Sequence, residues 1–254
     1  MASSRGAQDV HVQSTMEWTV SAIDPDEQRL HRAGGLSAFA LGLGYVITIP
    51  LYASVGAPPS GGEAWLRYLA GRTTIWSIIA ALSVLTDLLF IPVALSLFHA
   101  LRWVSRSTML VATAFVGLFV VLDLAVTWSN YAALITLSAS YAKATSDAQR
   151  AAYVAAAEYP SSVLGSGLEP VYAIAILSFA ILLISLVMQR GGFSRIAACV
   201  GVITGLLGIV SVTRLGAAVI LNAIFATAWV LFVGLRLYRT GATRSGTSDR
   251  TTLP

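Results

Sequence analysis

Charge is what this chain has least of. Only 11% of its 254 residues are Asp, Glu, Lys or Arg, against 56% hydrophobic, where a soluble domain carries roughly a quarter charged residues. So few charges cannot clothe the exterior of a water-soluble domain of this length. A single cysteine, Cys199, excludes an internal disulfide and any cysteine metal cluster. Set in an apolar run, it reads as an inert buried thiol. His11, His31 and His99 are scattered without ligand spacing, so no metal and no cofactor is expected. Lys143 is the sole lysine beside many arginines, alanines and glycines, a composition that reads as bacterial. The first thirty-two residues hold no apolar signal-peptide core, so no cleaved leader is expected. Phosphate loops, nucleophile elbows and zinc-peptidase helices are missing too. The net charge of +4 forms no cationic patch, which excludes nucleic acid as a partner.

What is present is apolar length. Six segments, at about 33–54, 75–101, 108–137, 161–188, 194–212 and 214–236, reach the roughly 20 residues a helix needs to cross a bilayer. The fold class is therefore all-α: a polytopic membrane protein of six transmembrane helices in a domain spanning residues 25–238, with disordered tails at 1–24 and 239–254. The 108–137 segment exceeds the minimum and is expected to tilt or protrude. The last two segments, parted only around Ser211–Arg214, form a tight hairpin or one broken helix. Eleven basic residues fall on the side of the N-terminus and five on the other. That bias puts both termini in the cytoplasm of a plasma-membrane protein.

Asp24-Pro25-Asp26-Glu27 reads as a helix start, with Asp24 as cap and Glu27 closing a capping box. Ser146-Asp147-Ala148-Gln149 repeats that pattern in the 138–160 loop, ahead of an Ala-rich stretch ending at Pro160. Glu63–Leu69 reads as a short amphipathic turn lying on the membrane surface. Tyr52, Trp65, Trp76 and Trp128 towards the outside, and Trp103, Trp229 and Tyr238 towards the inside, read as an aromatic belt. Gly34, Ala38 and Gly42, and Ala197, Gly201 and Gly205, stand at four-residue spacing. Such small-residue faces predict close helix packing, within the chain or between copies in a homo-oligomer.

Against this background three acids stand out. Asp87 and Asp123 fall near the midplane of the second and third segments, and Glu169 lies about eight residues into the fourth. Ionised carboxylates survive in hydrocarbon only when paired, hydrated or protonated. Asp123, Thr127 and Asn130 or Tyr131 share one helical face, as do Ser83 and Asp87. Tyr45, Thr48 and Tyr172 add hydroxyls, and Asn222 lies two turns below Arg214 on the last segment. These groups predict a buried acidic polar cavity in the outer half of the bilayer. Facing each other, Asp87 and Asp123 would hold one proton between them. Gly165-Ser166-Gly167-Leu168-Glu169-Pro170 predicts a helix break beside a carboxylate or a kink at a helix start. Arg214 is either an interfacial anchor or the partner of Glu169.

The pattern Asp87-x-x-x-x-Pro92-x-Ala94-Leu95, followed by Phe98 and Leu101, resembles a bacterial multi-pass membrane family of the domain of unknown function 4386 type. Phe193-Ser194-Arg195 feeding Gly201-Val202-Ile203-Thr204-Gly205 is similar to that family's basic turn and Gly-rich helix. The resemblance covers residues 30–238 and implies six membrane helices, without an activity or site residues. Three functions stay open. The cavity binds or moves a proton, a cation or a small amphiphile. Alternatively, the chain is an intramembrane enzyme acting on a lipid or isoprenoid by acid catalysis, with Trp128 and Tyr131 shielding a developing cation. In the third reading it is a structural or regulatory membrane subunit. Membrane lipids are partners in each case.

Overall fold

Apolar runs fold as helices here because a bilayer offers backbone N–H and C=O groups no partner outside the helix itself. A computed structural model describes residues 25–243 except residue 214, with side chains for 27–240. The expected tail at 1–24, residues 244–254 of the tail expected at 239–254, the Asp24 cap and Arg214 lie outside the described residues. Among the described residues there is no strand. Six spans are long and apolar enough to cross a membrane: Glu27–Val55, Thr73–Leu101, Arg106–Tyr141, Val171–Arg190, Arg195–Thr213 and Gly216–Thr240. Their outward faces carry Leu36, Leu43, Leu110, Val121, Leu206 and Ile220, each more than half exposed. Apolar surface on that scale fits a hydrocarbon solvent and not water.

In chain order the helices are α1 (Pro25–Val55), α2 (Gly62–Leu69), α3 (Thr73–Leu101), α4 (Arg106–Leu122), α5 (Ser129–Tyr141), α6 (Asp147–Gly165), α7 (Ile176–Arg190), α8 (Arg195–Val210) and α9 (Gly216–Thr243). Two π-helical stretches interrupt the series: Asp123–Trp128 joins α4 to α5, and Val171–Ala175 leads into α7. A 3₁₀ turn, Ser211–Thr213, closes the hairpin between α8 and α9.

Small residues set how closely the spans approach. Gly34 lies against Ser96 of α3, Gly42 against Leu231 of α9, and Gly201 against Ser185 of α7 and Trp229 of α9. A methyl group on any of the three would collide with those side chains. The small-residue faces of α1 and α8 are thus occupied within the chain.

Helices α2 and α6 lie across one end of the bundle, the capped face, and pack on α5 and on each other. A span of 36 residues would be about 54 Å long at 1.5 Å per residue, well beyond a core about 30 Å thick. The third span therefore protrudes, and its α5 end becomes the post that carries the cap. Residues 25 and 243 lie at the opposite face, since α1 and α9 run antiparallel with Gly35 beside Tyr238 and Gly42 beside Leu231.

Several expectations need correction. Helix α2 docks on protein instead of a membrane surface: Gly62, Trp65, Leu66 and Leu69 are buried. The Ser138 hydroxyl donates to the Leu66 carbonyl at 2.9 Å, and the Gly62 N–H donates to Glu158 Oε1 at 3.2 Å. Residues 161–165 belong to α6, which runs on past Pro160, so the fourth span begins at 171 and not 161. The Glu27 carboxylate accepts from Arg102 at 2.7 Å, a charge-assisted bond. Helix α9 continues to Thr243, beyond the expected boundary at 238. Cys199 is exposed and not buried. The aromatic belt fails for four of its seven members, because Trp65, Trp76, Trp128 and Trp229 are buried. Trp103, 83% exposed, keeps the interfacial role. Ser146 does cap α6, its hydroxyl accepting from the Gln149 N–H at 3.3 Å.

Candidate functional site

Asp87 stands fourteen residues from either end of α3, and Asp123 is equally central in the third span. Both are 4% exposed. Helix geometry brings them together: α3 packs along the π stretch that Asp123 opens. The Trp128 indole N–H donates to Asp87 Oδ2 at 3.0 Å and to Asp123 Oδ2 at 3.1 Å. One donor thus serves two carboxylates and holds them beside each other.

The π stretch makes this geometry. In a regular α-helix residue i+5 points well away from residue i, but a π turn closes on i+5 and aligns them. Trp128 is five residues after Asp123, so its ring folds back over that carboxylate while still reaching Asp87 on the neighbouring helix. The expected face of Asp123, Thr127 and Tyr131 survives as the buried one. Asn130 turns aside and donates to the Val126 carbonyl at 2.6 Å.

Above the pair, towards the capped face, polar groups continue. Thr48 and Thr127 are buried, as is Ser83. The hydroxyls of Thr48 and Thr127, together with Asp123 Oδ1, have no hydrogen-bond partner among the described groups. Tyr52 on α1 and Tyr131 on α5 stand further towards the capped face. Glu169 itself is half-buried at the start of the fourth helix, two residues before the span, and not eight residues deep as expected. The Gly165–Pro170 run is the linker between α6 and that helix, so Pro170 stands where its missing N–H costs nothing. The π stretch after it packs against the one that holds Asp123 and Trp128.

Below the pair the character changes abruptly. Phe90 and Phe119, one turn beneath the two acids, meet edge to face with centroids 5.9 Å apart. Under them is a cavity of about 10 Å³ lined wholly by apolar side chains, among them Val93, Leu97, Val116, Ile181 and Trp229. That is room for about one water, with no polar group to hold it.

Two predicted site residues lie elsewhere. Asn222 is buried between α7, α8 and α9, where its amide donates to the Thr204 carbonyl at 2.8 Å. Tyr172 is half-buried in the second π stretch. Trp128 escaped the sequence reading as a site donor, since an indole five residues after an acid is out of phase on an α-helix. Tyr52, a turn above Thr48 on the same face of α1, was legible by spacing. Among the described residues no three His, Cys, Asp or Glu side chains come together as a metal site.

At the capped face, Trp65, Tyr68, Trp76 and Tyr131 form a closed aromatic cluster, with Trp76 and Tyr131 stacked at 5.2 Å. Tyr68 donates to the Val55 and Gly56 carbonyls, both at 3.0 Å, with the Arg72 guanidinium over its ring. Burial pushes the Tyr68 phenol above its ordinary value, while Arg72 acts in the opposite direction.

Compared with known proteins, the chain matches no family model, no curated protein and no solved structure.

Proposed function

We propose that this chain is a proton-handling protein of a bacterial plasma membrane, which binds a proton on the Asp87–Asp123 pair and passes it across. The observation that carries this reading is the single Trp128 N–H held by two buried carboxylates at the middle of two spans. Two full negative charges there would repel in a low dielectric, and the Trp128 N–H that both share is a neutral donor. One proton shared between them turns repulsion into a short carboxyl–carboxylate hydrogen bond.

Other occupants fit less well. A cation held between the acids would have to displace the indole N–H, whose positive edge already fills that place. A small amphiphile needs a void, and the one beside the site holds about 10 Å³. For an enzyme acting on an isoprenoid, Trp128 and Tyr131 would have to face a cavity. Instead they pack on each other at 5.3 Å. The orientation that follows from eleven basic residues against five turns the capped face outward.

Reconstitution into liposomes carrying an internal pH-sensitive dye tests the reading. Protein-dependent dissipation of an imposed pH gradient is expected, lost in Asp87→Asn and in Asp123→Asn. Equal dissipation by folded variants and wild type would leave the acids as mere ties between helices.

A further inference from the structure

The proton-handling reading leaves open which side of the membrane the pair answers to, and the packing around it is markedly one-sided. Resting on that reading, we propose that the Asp87–Asp123 pair exchanges its proton with the capped face alone, through Glu169, and that Phe90 and Phe119 close the way to the opposite face.

The route upward is polar at each step. Thr127 is one turn above Asp123 on the same face, buried, with an unpartnered hydroxyl. Thr48 and Tyr52 ascend the facing side of α1, and Tyr131 follows Thr127 one turn further. The turn that bears Glu169 opens into the π stretch that packs on Asp123–Trp128. Glu169 is the first carboxylate on this route that is not fully buried, at the base of the exposed Gly165–Leu168 linker. It is held there by the packing of the two π stretches. A proton leaving an Asp oxygen breaks its O–H bond there and finishes on a Glu169 oxygen. The hydroxyls between accept one proton and donate another, so neither atoms nor charge are left over.

Downward there is no comparable series. Tyr45 packs its ring on Phe90 at 6.3 Å, and below it the buried side chains of α3, α4 and α7 are apolar except for Ser96, Ser178 and Ser185, of which Ser96 is bonded to the Leu30 carbonyl. Fourteen residues of α3 separate Asp87 from the opposite end, about 21 Å at 1.5 Å per residue. Transfer across the membrane then requires the Phe90–Phe119 contact to open in a second conformation.

Full-length protein in lipid nanodiscs provides the test, read by the infrared carbonyl band of the protonated pair during exchange into heavy water. Glu169→Gln should leave the band in place and slow its exchange by about 10²-fold, the lower range for a positioned proton-transfer group. Adding Phe90→Ala to that variant should restore fast exchange from the other side. Should Glu169→Gln fail to fold, Glu169→Asp keeps the acid but retracts it, and a several-fold slowing is expected. A band present with exchange at the wild-type rate in either Glu169 variant overturns this proposal alone. A band missing from the wild type overturns it together with the reading beneath it.

Discussion

The Trp128 indole nitrogen lies 3.0 Å from the Asp87 carboxylate, across the gap between α3 and the third span. It reaches that far because the π turn from Asp123 to Trp128 rotates the ring out of ordinary helical phase. The same N–H also donates to Asp123, at 3.1 Å. Trp128→Phe keeps the ring volume and removes the donor. A loss of about 1.5–3 kcal/mol is expected, the range for a hydrogen bond to a charged group, read as a lower melting temperature in detergent.

Gly201 sets the distance between α7, α8 and α9, since a methyl there meets Ser185 and Trp229. Neither of those groups can move without disturbing buried neighbours. Gly201→Ala should destabilise by about 1–3 kcal/mol through overpacking, while Gly117→Ala, with open space at that point, should change stability little. Thermal unfolding of the two variants side by side makes the comparison.

The cap depends on Tyr68, whose hydroxyl closes the end of α1 through two carbonyls. Tyr68→Phe should cost about 1 kcal/mol, one ordinary hydrogen bond. Because burial raises the phenol's pKa in the folded chain, its contribution is fully present below the unfolded value of about 10 and fades as pH climbs through the higher folded one. The wild type should therefore lose more melting temperature than Tyr68→Phe between about pH 8 and about pH 11.

Much of this architecture was legible in the order of residues. Lack of charge announced a membrane protein, and apolar length gave six spans, since hydrocarbon forces every backbone group into a helix. Asp87, Asp123, Thr127 and Tyr131 were readable as one converging set from depth and phase. Two things were not. The π stretch at 123–128 is built from ordinary helix formers, so nothing local distinguishes it from α-helix. What accompanies it is a tertiary bond, from Trp128 to an acid 41 residues earlier. The start of the fourth span was also hidden. Residues 161–165 are apolar enough to join the membrane segment, yet they close α6 because buried Ala157, Pro160 and Ser161 tie that helix to the cap. Glu169 accordingly moved from within the span to its threshold. The bond between Glu27 and Arg102 was equally hidden, since only folding brings the two together across 75 residues.

Central to the account is one proton held jointly by Asp87 and Asp123, and its most direct test is infrared spectroscopy of the carboxyl carbonyl region. In neutral buffer the wild type should display a protonated-carboxyl band that shifts in heavy water. That band should move when Trp128 is replaced by Phe, and vanish in the Asp87→Asn/Asp123→Asn double variant. A spectrum without that band in the wild type, or with the band unchanged in the double variant, would contradict the account.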